Sequence, residues 1–392
     1  MGIGQETRGG SVVEDRRQMR LWESAAVAED PSYLSRQLIT YLGNKRALLG
    51  PIGVAVEQVK RRLGKPRLRV VDVFSGSGVV SRYLKAHASL LISNDIEEYA
   101  AVIARCYLRN RSTVHSSMLS EIVAQLNAIV TEVPFPPGFI EELYAPRDES
   151  NITSQDRVFY TRENARRIDN YRRLIEMVQP EIKELLLGPL LSKASIHANT
   201  AGVFKGFYKN RRTGVGQFGG SGSDALTRIL GRITLEVPVL SLFECEYAVF
   251  QEDANVLARK IKGLDLAYID PPYNQHPYGS NYFMLNLIVR YQRPAHISCV
   301  SGIPTDWRRS GYNVRHKSLP LLKDLLNTID APFLLVSFNN EGFIPPEEMR
   351  AMLDGIGSVG TIALPYHAFR GSRNLSNRSI HVTEYLFLVE RR

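Results

Sequence analysis

The stretch from residue 68 to residue 87 limits the folds open to this chain more than any other. A β-branched run ends at Asp72, a turn with glycines at positions 76 and 78 follows, and a helical pattern begins at Val79. This order is typical of the first strand–helix unit of a nucleotide-binding α/β sheet, in which a ligand lies against the backbone of the turn. The version that binds dinucleotides has a third glycine, and this chain has Ser81 there. The sequence therefore predicts a Rossmann-like α/β fold with a different ligand.

The residues around this turn suit S-adenosylmethionine. This cofactor has no pyrophosphate, so it needs a close approach to the glycine backbone and a carboxylate for its ammonium group. Asp95 closes the next predicted strand, where a carboxylate can accept hydrogen bonds from both ribose hydroxyls. An acidic residue before a helix also serves as a helix cap, and Asp95 can do both. The predicted cofactor-binding residues here are Asp72, Phe74, Gly76, Gly78 and Asp95.

Four further positions complete the predicted cofactor site. Ile96 follows Asp95, and Asp253 follows a third predicted strand, where it can reach the adenine amino group of the cofactor. Near the N-terminus, a glycine turn that contains Tyr41 and Lys45 leads into a helical pattern. Such a turn offers backbone N–H groups to an anion, and the alternative is an ordinary helix cap.

A second group of chemically active residues follows a buried strand pattern that ends at Ile269. Pro271 and Pro272 stop the strand and stiffen the loop at the carboxyl end of the sheet, where open α/β folds bind ligands. An exocyclic amino group can donate to Asp270 and to the Pro271 carbonyl while the ring that carries it stacks on Tyr273. The alternative is a proline-stiffened turn. We predict that Asp270, Pro271, Pro272 and Tyr273 are catalytic.

Between residues 111 and 244 the pattern changes to apolar helical stretches, at 122–130 and 174–191, with segments rich in arginine and aromatic residues. Basic residues interleaved with aromatic residues and glycines suit contact with phosphates and bases, and the alternative is a solvated basic helix with a flexible loop. The aromatic members are Phe159, Tyr160, Tyr171, Phe204, Phe207 and Tyr208. The predicted DNA contacts are Lys205, Lys209, Arg211 and Arg212, with Tyr278 in the loop after Tyr273.

Charge and composition narrow the class of protein. The net charge is +9 and the isoelectric point about 9.4, which favours a polyanionic partner. The three cysteines are widely spaced and show no metal-binding pattern, so we expect structural thiols in a reducing compartment. We find no apolar run near the length of a membrane span and no signal-peptide core. These features predict a cytoplasmic protein without a membrane partner.

Composition also suggests how the chain is divided. The first segment is polar and aperiodic, and we expect a flexible leader there. The predicted boundaries are 1–30 for the leader, 31–110 and 245–392 for a catalytic domain, and 111–244 for a largely helical target-recognition insertion. Residues 292–318 are loop-like and basic. Two late strands, 360–366 and 382–389, are joined by a polar hairpin tip at 369–379.

In its motifs and their order, the chain resembles the D12-class, or alpha-group, N6-adenine DNA methyltransferases, especially methylases of type IIS restriction systems. The resemblance covers residues 40 to 392, from the lysine-bearing turn through the glycine loop, Asp95 and the insertion to Asp-Pro-Pro-Tyr at 270–273. One departure is Asn44, where relatives often carry a second glycine before the lysine. The resemblance implies S-adenosylmethionine as cofactor, double-stranded DNA as substrate, base flipping and direct methyl transfer. It leaves open whether the chain is an orphan methylase or has a cognate restriction endonuclease that acts separately.

Three alternatives remain open at this stage. An N4-cytosine DNA methyltransferase would share the fold and pocket, although its motif more often begins with serine. A ribosomal RNA N6-adenine methyltransferase can carry the same four residues, but the long insertion fits DNA recognition better. A catalytically silent nucleic-acid-binding protein is a different class, and the intact acidic and glycine positions argue against it.

Overall fold

The computed structural model describes residues 29–220, 225–367 and 381–392, with only the backbone for residues 366, 367 and 381. The predicted hairpin tip at 369–379 and nearly all of the predicted leader lie outside the described residues.

The centre of the described structure is a seven-stranded sheet in the order β3-β2-β1-β4-β5-β7-β6. Strands β1 to β5 are parallel, and β7 runs antiparallel between β5 and β6. The strands are β1 Leu68–Asp72, β2 Ala88–Asn94, β3 Glu246–Phe250, β4 Leu266–Ile269, β5 Phe333–Asn339, β6 Gly357–His367 and β7 His381–Arg391. This confirms the predicted α/β fold, and the order reverses between β1 and β4, where such sheets bind ligands.

Helices cover both faces of the sheet. Their bounds are α1 Pro31–Ser35, α2 Leu49–Leu63, α3 Val79–Leu84, α4 Glu98–Tyr107, α5 Ser116–Glu132, α6 Phe139–Tyr144, α7 Arg162–Glu176, α8 Pro180–Ile196, α9 Leu226–Leu230, α10 Ala254–Lys260, α11 Tyr278–Asn281, α12 Phe283–Arg290, α13 Arg315–Thr328 and α14 Pro346–Asp354. Short 3-10 turns include Arg46–Leu48 and Gly311–Asn313. Within the described ranges, none of these helices has the length and apolarity that crossing a membrane requires.

Successive side chains of β1 point to opposite faces of the sheet, and each face packs against its own layer of helices. Val70 packs with α2 and α3 on one face, and Val71 packs with α10, α13 and α14 on the other. Strands β4 and β5 are buried throughout, as expected for parallel strands covered on both sides. The sheet is therefore a rigid base for the loops at its carboxyl edge.

The predicted insertion, 111–244, contributes to a third apolar cluster together with α4 and α12. Contact is close where α8 crosses α4, since a Cβ on Gly188 would lie 2.6 Å from the Sγ atom of Cys106. The single helical stretch predicted at 174–191 is instead two helices, because α7 ends at Glu176 and Pro180 starts α8. The loop predicted at 292–318 also ends early, since Arg315 begins α13.

One interpretation of the insertion was wrong in part. Four of the aromatic residues expected to contact bases lie in the core, with Phe159, Tyr160 and Tyr171 at 0% exposure and Phe204 at 2%, whereas Phe207 and Tyr208 are half-buried. Arg172 is also buried, where its guanidinium donates to the carbonyl oxygens of residues 288 and 289 at the end of α12. These buried residues therefore build the core of the insertion, and the exposed basic residues from 205 to 212 are the part that remains available to a nucleic acid.

Candidate active site

Two adjoining cavities lie at the carboxyl edge of β1 and β4. Counting the open solvent at their mouths, the larger encloses about 650 Å³ of empty space and the smaller about 270 Å³. Both are lined by Tyr41, Gly43, Phe74 and Asp270. The larger is further lined by Asn94, Asp95, Ile96, Asp253, Pro272 and Tyr278, and the smaller by Lys45, Asp72, Ser75, Gly76 and Tyr268. The structure thus brings residues from both predicted sites to one place, with Asp270 at the junction.

Asp95 is tied to the glycine turn. Its Oδ2 atom accepts a hydrogen bond of 2.8 Å from the Gly76 N–H, and Oδ1 accepts one of 2.9 Å from the Glu97 N–H. Burial raises the pKa of Asp95 to about 6, although the backbone hydrogen bonds oppose that rise. Helix α4 itself begins after Glu97. Asp95 therefore orders the turn and faces the larger cavity at the same time.

Only one of the two carboxylate oxygens of Asp72 accepts a hydrogen bond from the described residues. Its Oδ2 atom accepts a 2.6 Å hydrogen bond from the Ser81 hydroxyl, while Oδ1 is buried without a hydrogen-bond partner among the described residues. Burial raises the pKa of Asp72 to about 7. The Ser75 hydroxyl, in the same small cavity, is likewise buried and without such a partner there. An α-amino acid group, with an ammonium and a carboxylate, would supply a partner for each.

The glycine turn is shaped by close contact with Tyr41. Gly76 has a φ of 51°, and a Cβ at this position would lie 2.7 Å from the Tyr41 hydroxyl. Tyr41 stacks in turn on Tyr278, with ring centroids 5.1 Å apart, and on Tyr282 at 4.9 Å. Tyr278, predicted as a DNA contact, is thus part of the wall of the larger cavity. Gly78, with a φ of 74°, precedes α3.

Asp270 is paired with a buried lysine. The Lys45 Nζ atom lies 3.2 Å from Asp270 Oδ1 and 3.6 Å from Glu384 Oε2, and the three side chains are 4%, 16% and 3% exposed in that order. Burial raises the pKa of Asp270 to about 6, against the opposing charge of Lys45. Burial alone would lower the pKa of Lys45, but the two carboxylates raise it above its usual range. Lys45 is therefore a cation, and Asp270 is ionised at neutral pH.

Tyr273 is held from two sides. Its carbonyl accepts a 2.8 Å hydrogen bond from the Phe343 N–H, and its ring packs edge-on against Phe338, with centroids 6.0 Å apart. Lys45 Nζ lies 5.9 Å from the centre of the Tyr273 ring. The aromatic face that follows the two prolines is therefore fixed beside Asp270 by the strand β5 and the loop after it.

Several residues in this site carried no recognisable signal in the sequence. Ser310, Tyr312 and Asn313 line the larger cavity, and Tyr312 meets Phe74 edge-on at 5.1 Å. The Asn313 side chain donates a 2.8 Å hydrogen bond to the Asn274 carbonyl, in the loop after Tyr273. A polar turn inside a long loop gives no period or motif, and only the fold brings it to the cavity.

Of the predicted DNA contacts, Lys209, Arg211 and Arg212 lie on a short hairpin, and Lys205 lies just before it. Lys209 and Gly216 form a β-bridge, and Lys205, Lys209, Arg211 and Arg212 are exposed. The base of this segment is fixed to the active-site side of the molecule, because the Phe204 N–H donates to the carbonyl of Asn281 at 2.7 Å.

Asp253 caps α10 through Oδ1, which accepts from the N–H groups of residues 255 and 256.

We expect Asp95→Ala to weaken S-adenosylmethionine binding, because Asp95 both lines the cavity and holds the Gly76 N–H. Loss of charge-assisted hydrogen bonds costs on the order of 1.5–3 kcal/mol each, so the dissociation constant should rise at least about tenfold. Calorimetric titration with the cofactor would measure this rise. An unchanged affinity in a variant that melts like the wild type would limit Asp95 to ordering the turn.

Comparison with known proteins identifies the family of the chain. Residues 41–352 match the family model described as D12 class N6 adenine-specific DNA methyltransferase. The Type II methyltransferase M.NlaIII of Neisseria lactamica is 27% identical over 361 residues, which cover 90% of this chain and 99% of that protein. The Type II methyltransferase M.CviAII of Paramecium bursaria Chlorella virus 1 is 28% identical, with 90% and 98% covered.

A third relative is longer. The Modification methylase StsI of Streptococcus sanguinis is 28% identical over 373 residues, which cover 90% of this chain and 52% of that protein. The family model spans most of the chain, from the turn that carries Tyr41 to helix α14. The resemblance seen in the sequence is therefore confirmed, and the chain belongs to the D12 class of N6 adenine-specific DNA methyltransferases.

Proposed function

We propose that this chain transfers the methyl group of S-adenosylmethionine directly to N6 of an adenine flipped out of a specific double-stranded DNA sequence. The observation that carries the proposal is the position of Asp270 at the junction of the two cavities. A carboxylate there can accept a hydrogen bond from an amino group in one cavity while a methyl donor lies in the other. Reacting atoms held this way gain from proximity and orientation.

The cavity walls fit the parts of S-adenosylmethionine, which supplies an electrophilic methyl group on a sulfonium. Asp72 Oδ1 and the Ser75 hydroxyl, both buried without partners among the described residues, suit its ammonium and carboxylate. Asp95 suits the ribose hydroxyls, and Asp253, with Phe74 nearby, suits the adenine. Ile96 adds an apolar contact. Each of these roles is part of the proposal.

Asp270 acts as a hydrogen-bond acceptor for the target amino group, together with the carbonyl of Pro271. Since a proline lacks an N–H group, Pro271 and Pro272 leave this loop without two ladder donors, and its carbonyls need not pair with a strand. Tyr273 stacks on the flipped base, which recovers roughly 1–3 kcal/mol of the cost of extracting it. Alkylation makes the N6 proton acidic, and the Asp270 carboxylate that accepts its hydrogen bond would take it up, while the methyl donor would leave as a neutral thioether.

We further propose that residues 111–244 recognise the DNA sequence and that the hairpin around Lys209 follows the phosphate backbone. The exposed basic side chains and the link from Phe204 to the active-site helix α11 support this placement. The printed names of the relatives include a modification methylase and type II methyltransferases. By analogy, the chain protects DNA from a separate restriction endonuclease in the bacterial or archaeal cytoplasm.

The decisive experiment supplies labelled S-adenosylmethionine with duplex DNA from a methylation-free host, with ribosomal RNA, or with no acceptor. We expect label in duplex DNA alone, and sequencing of the modified bases should show N6-methyladenine at one short motif. Label in RNA, or methylation at N4 of cytosine, would contradict the proposal.

We expect Lys205→Ala and Lys209→Ala to weaken binding to all DNA sequences alike. Each lost phosphate contact should reduce the slope of log affinity against log salt by about 1. Fluorescence anisotropy with an unrelated duplex at several salt concentrations would measure it. Lys262→Ala is the control, because Lys262 is exposed just before β4, at the opposite edge of the sheet. Equal slopes in all variants would place the phosphate path elsewhere.

A further inference from the structure

Glu384 is a buried carboxylate that belongs to none of the motifs discussed so far. It lies on β7, opposite Asn339 of β5, and is 2% exposed. Its Oε1 atom accepts a long hydrogen bond of 3.4 Å from the Asn339 side chain. Its Oε2 atom is buried with no hydrogen-bond partner in the described part of the chain, and lies 3.6 Å from Lys45 Nζ. Ion-pair contact with Lys45 is therefore what compensates its charge.

Lys45 is consequently shared between two carboxylates. Its ammonium lies 3.2 Å from Asp270 and 3.6 Å from Glu384, so the three side chains carry one positive and two negative charges. With Glu384 absent, Lys45 and Asp270 would form a neutral pair, and the ammonium could engage the Asp270 carboxylate fully. A carboxylate engaged in this way would be a weaker acceptor for another donor.

We propose that Glu384 is a positioning residue that acts through Lys45. It shares the Lys45 ammonium with Asp270, so that the Asp270 carboxylate stays available to the target amino group and the site keeps a net negative charge. This inference rests on the proposed function of the same site.

The chemistry of the transfer gives a reason for this arrangement. The amino nitrogen gains positive charge as it is alkylated, and a sulfonium already brings positive charge to the cavity. A neutral Lys45–Asp270 pair would offer little stabilisation to that charge, whereas a net negative cluster of fixed groups favours it. Glu384 therefore lets a lysine order Asp270 without cancelling its electrostatic effect.

The two partners of Asp270 act on it in opposite directions. Besides burial, the charge of Lys45 lowers the pKa of Asp270 and that of Glu384 raises it. Asp72 on β1 and the hydroxyl groups of Tyr268, Tyr273 and Tyr278 also interact with it electrostatically. The acid limb is the part of the pH–rate profile in which the rate falls as Asp270 becomes protonated. Removing Glu384 should therefore move the acid limb to lower pH, and removing Lys45 should move it to higher pH.

The test is the single-turnover rate of Glu384→Gln and Lys45→Ala as a function of pH, at saturating S-adenosylmethionine, on a duplex that the wild type methylates. For Glu384→Gln we expect the plateau rate to fall on the order of tenfold, less than the hundredfold or more for a group in direct contact with the reacting atoms, because Glu384 acts only through Lys45. We also expect its acid limb to shift to lower pH and its affinity for the cofactor to stay as in the wild type. The acid limb of Lys45→Ala should shift the other way.

Two variants make the test specific. Glu390→Gln changes another glutamate of β7, half-exposed and far along the strand, and should leave the rate and the limb unchanged. Glu384→Asp keeps the charge and should keep the wild-type limb, which covers the case in which glutamine at 384 prevents folding. A slower Glu384→Gln enzyme with an unmoved acid limb would overturn the inference, as would a wild-type rate. If the wild type itself transfers no methyl group, the proposed function fails instead.

Discussion

Asp270→Ala should abolish methyl transfer while leaving cofactor binding measurable. The substitution removes the acceptor at the junction of the two cavities, whereas Asp72 and Asp95, which line the cavity walls further along, remain. Loss of one preorganised electrostatic contact to a reacting group costs at least about a hundredfold in rate. Transfer of labelled methyl groups to duplex DNA, with parallel calorimetry of the cofactor, would measure both effects.

Two further variants sharpen this result. Asp270→Asn keeps one carbonyl acceptor and should retain a small residual rate, above that of the alanine variant. Asp354→Ala removes an exposed carboxylate that pairs with Arg350 on α14, and should behave as the wild type. Wild-type turnover in Asp270→Ala would remove Asp270 from the site assignment.

The same carboxylate predicts a pH dependence. Because burial raises the pKa of Asp270 to about 6, it is ionised above that pH and protonated below it. The acceptor role needs the ionised form, so the single-turnover rate should be constant at neutral pH and fall as the pH drops through about 6. Cofactor must be saturating, because burial also raises the pKa of Asp95 to about 6 and that of Asp72 to about 7. A rate that is flat down to pH 5 would argue against the ionised acceptor.

Tyr273→Ala should be the second severe defect, and Tyr273→Phe a mild one. The ring face stacks on the flipped base, and removing it forfeits roughly 1–3 kcal/mol, or about five- to a hundredfold in the stability of the flipped state. The hydroxyl is not needed for stacking, so phenylalanine should keep most of the rate.

The flipped state itself can be observed at the thymine left opposite the target adenine, which becomes reactive to permanganate when its partner leaves the helix. We expect strong thymine oxidation with the wild type and with Tyr273→Phe, and weak oxidation with Tyr273→Ala. Equal loss of activity in the phenylalanine and alanine variants would show that the hydroxyl, and not the ring, is what the site requires.

Local sequence patterns were sufficient to predict the sheet and the residues that follow its strands. Strand β1 and the turn at Gly76 are contiguous in sequence, so their hydrophobic run and glycines identify them directly. Asp95 and Asp270 follow strands, and the carboxyl ends of parallel strands meet at one edge. Their convergence could therefore be expected before the fold was known.

Other features depend on contacts between distant segments. Glu384 looks like an ordinary strand residue, and only the antiparallel insertion of β7 beside β5 brings it to Lys45. The arginines and aromatic residues of the insertion have the composition of a nucleic-acid surface, yet some of them are buried in the core and others are exposed. Composition cannot show that Tyr160 is buried in the core while Lys209 lies on an exposed hairpin, because the burial of a residue depends on how distant segments pack.

The close crossing of α8 over α4 has a consequence for engineering new specificities. Helix α4 begins just after Asp95, while α8 lies in the segment proposed to choose the DNA sequence, and Gly188 fits against Cys106 with no space for a methyl group. A recognition segment grafted from a relative would meet a foreign α4 surface and displace the turn at Asp95, which we propose binds the ribose. Grafts that bring the facing residues of α4 and α12 with them should therefore stay active, whereas grafts cut at 111 and 244 alone should change the cofactor affinity along with the methylated sequence.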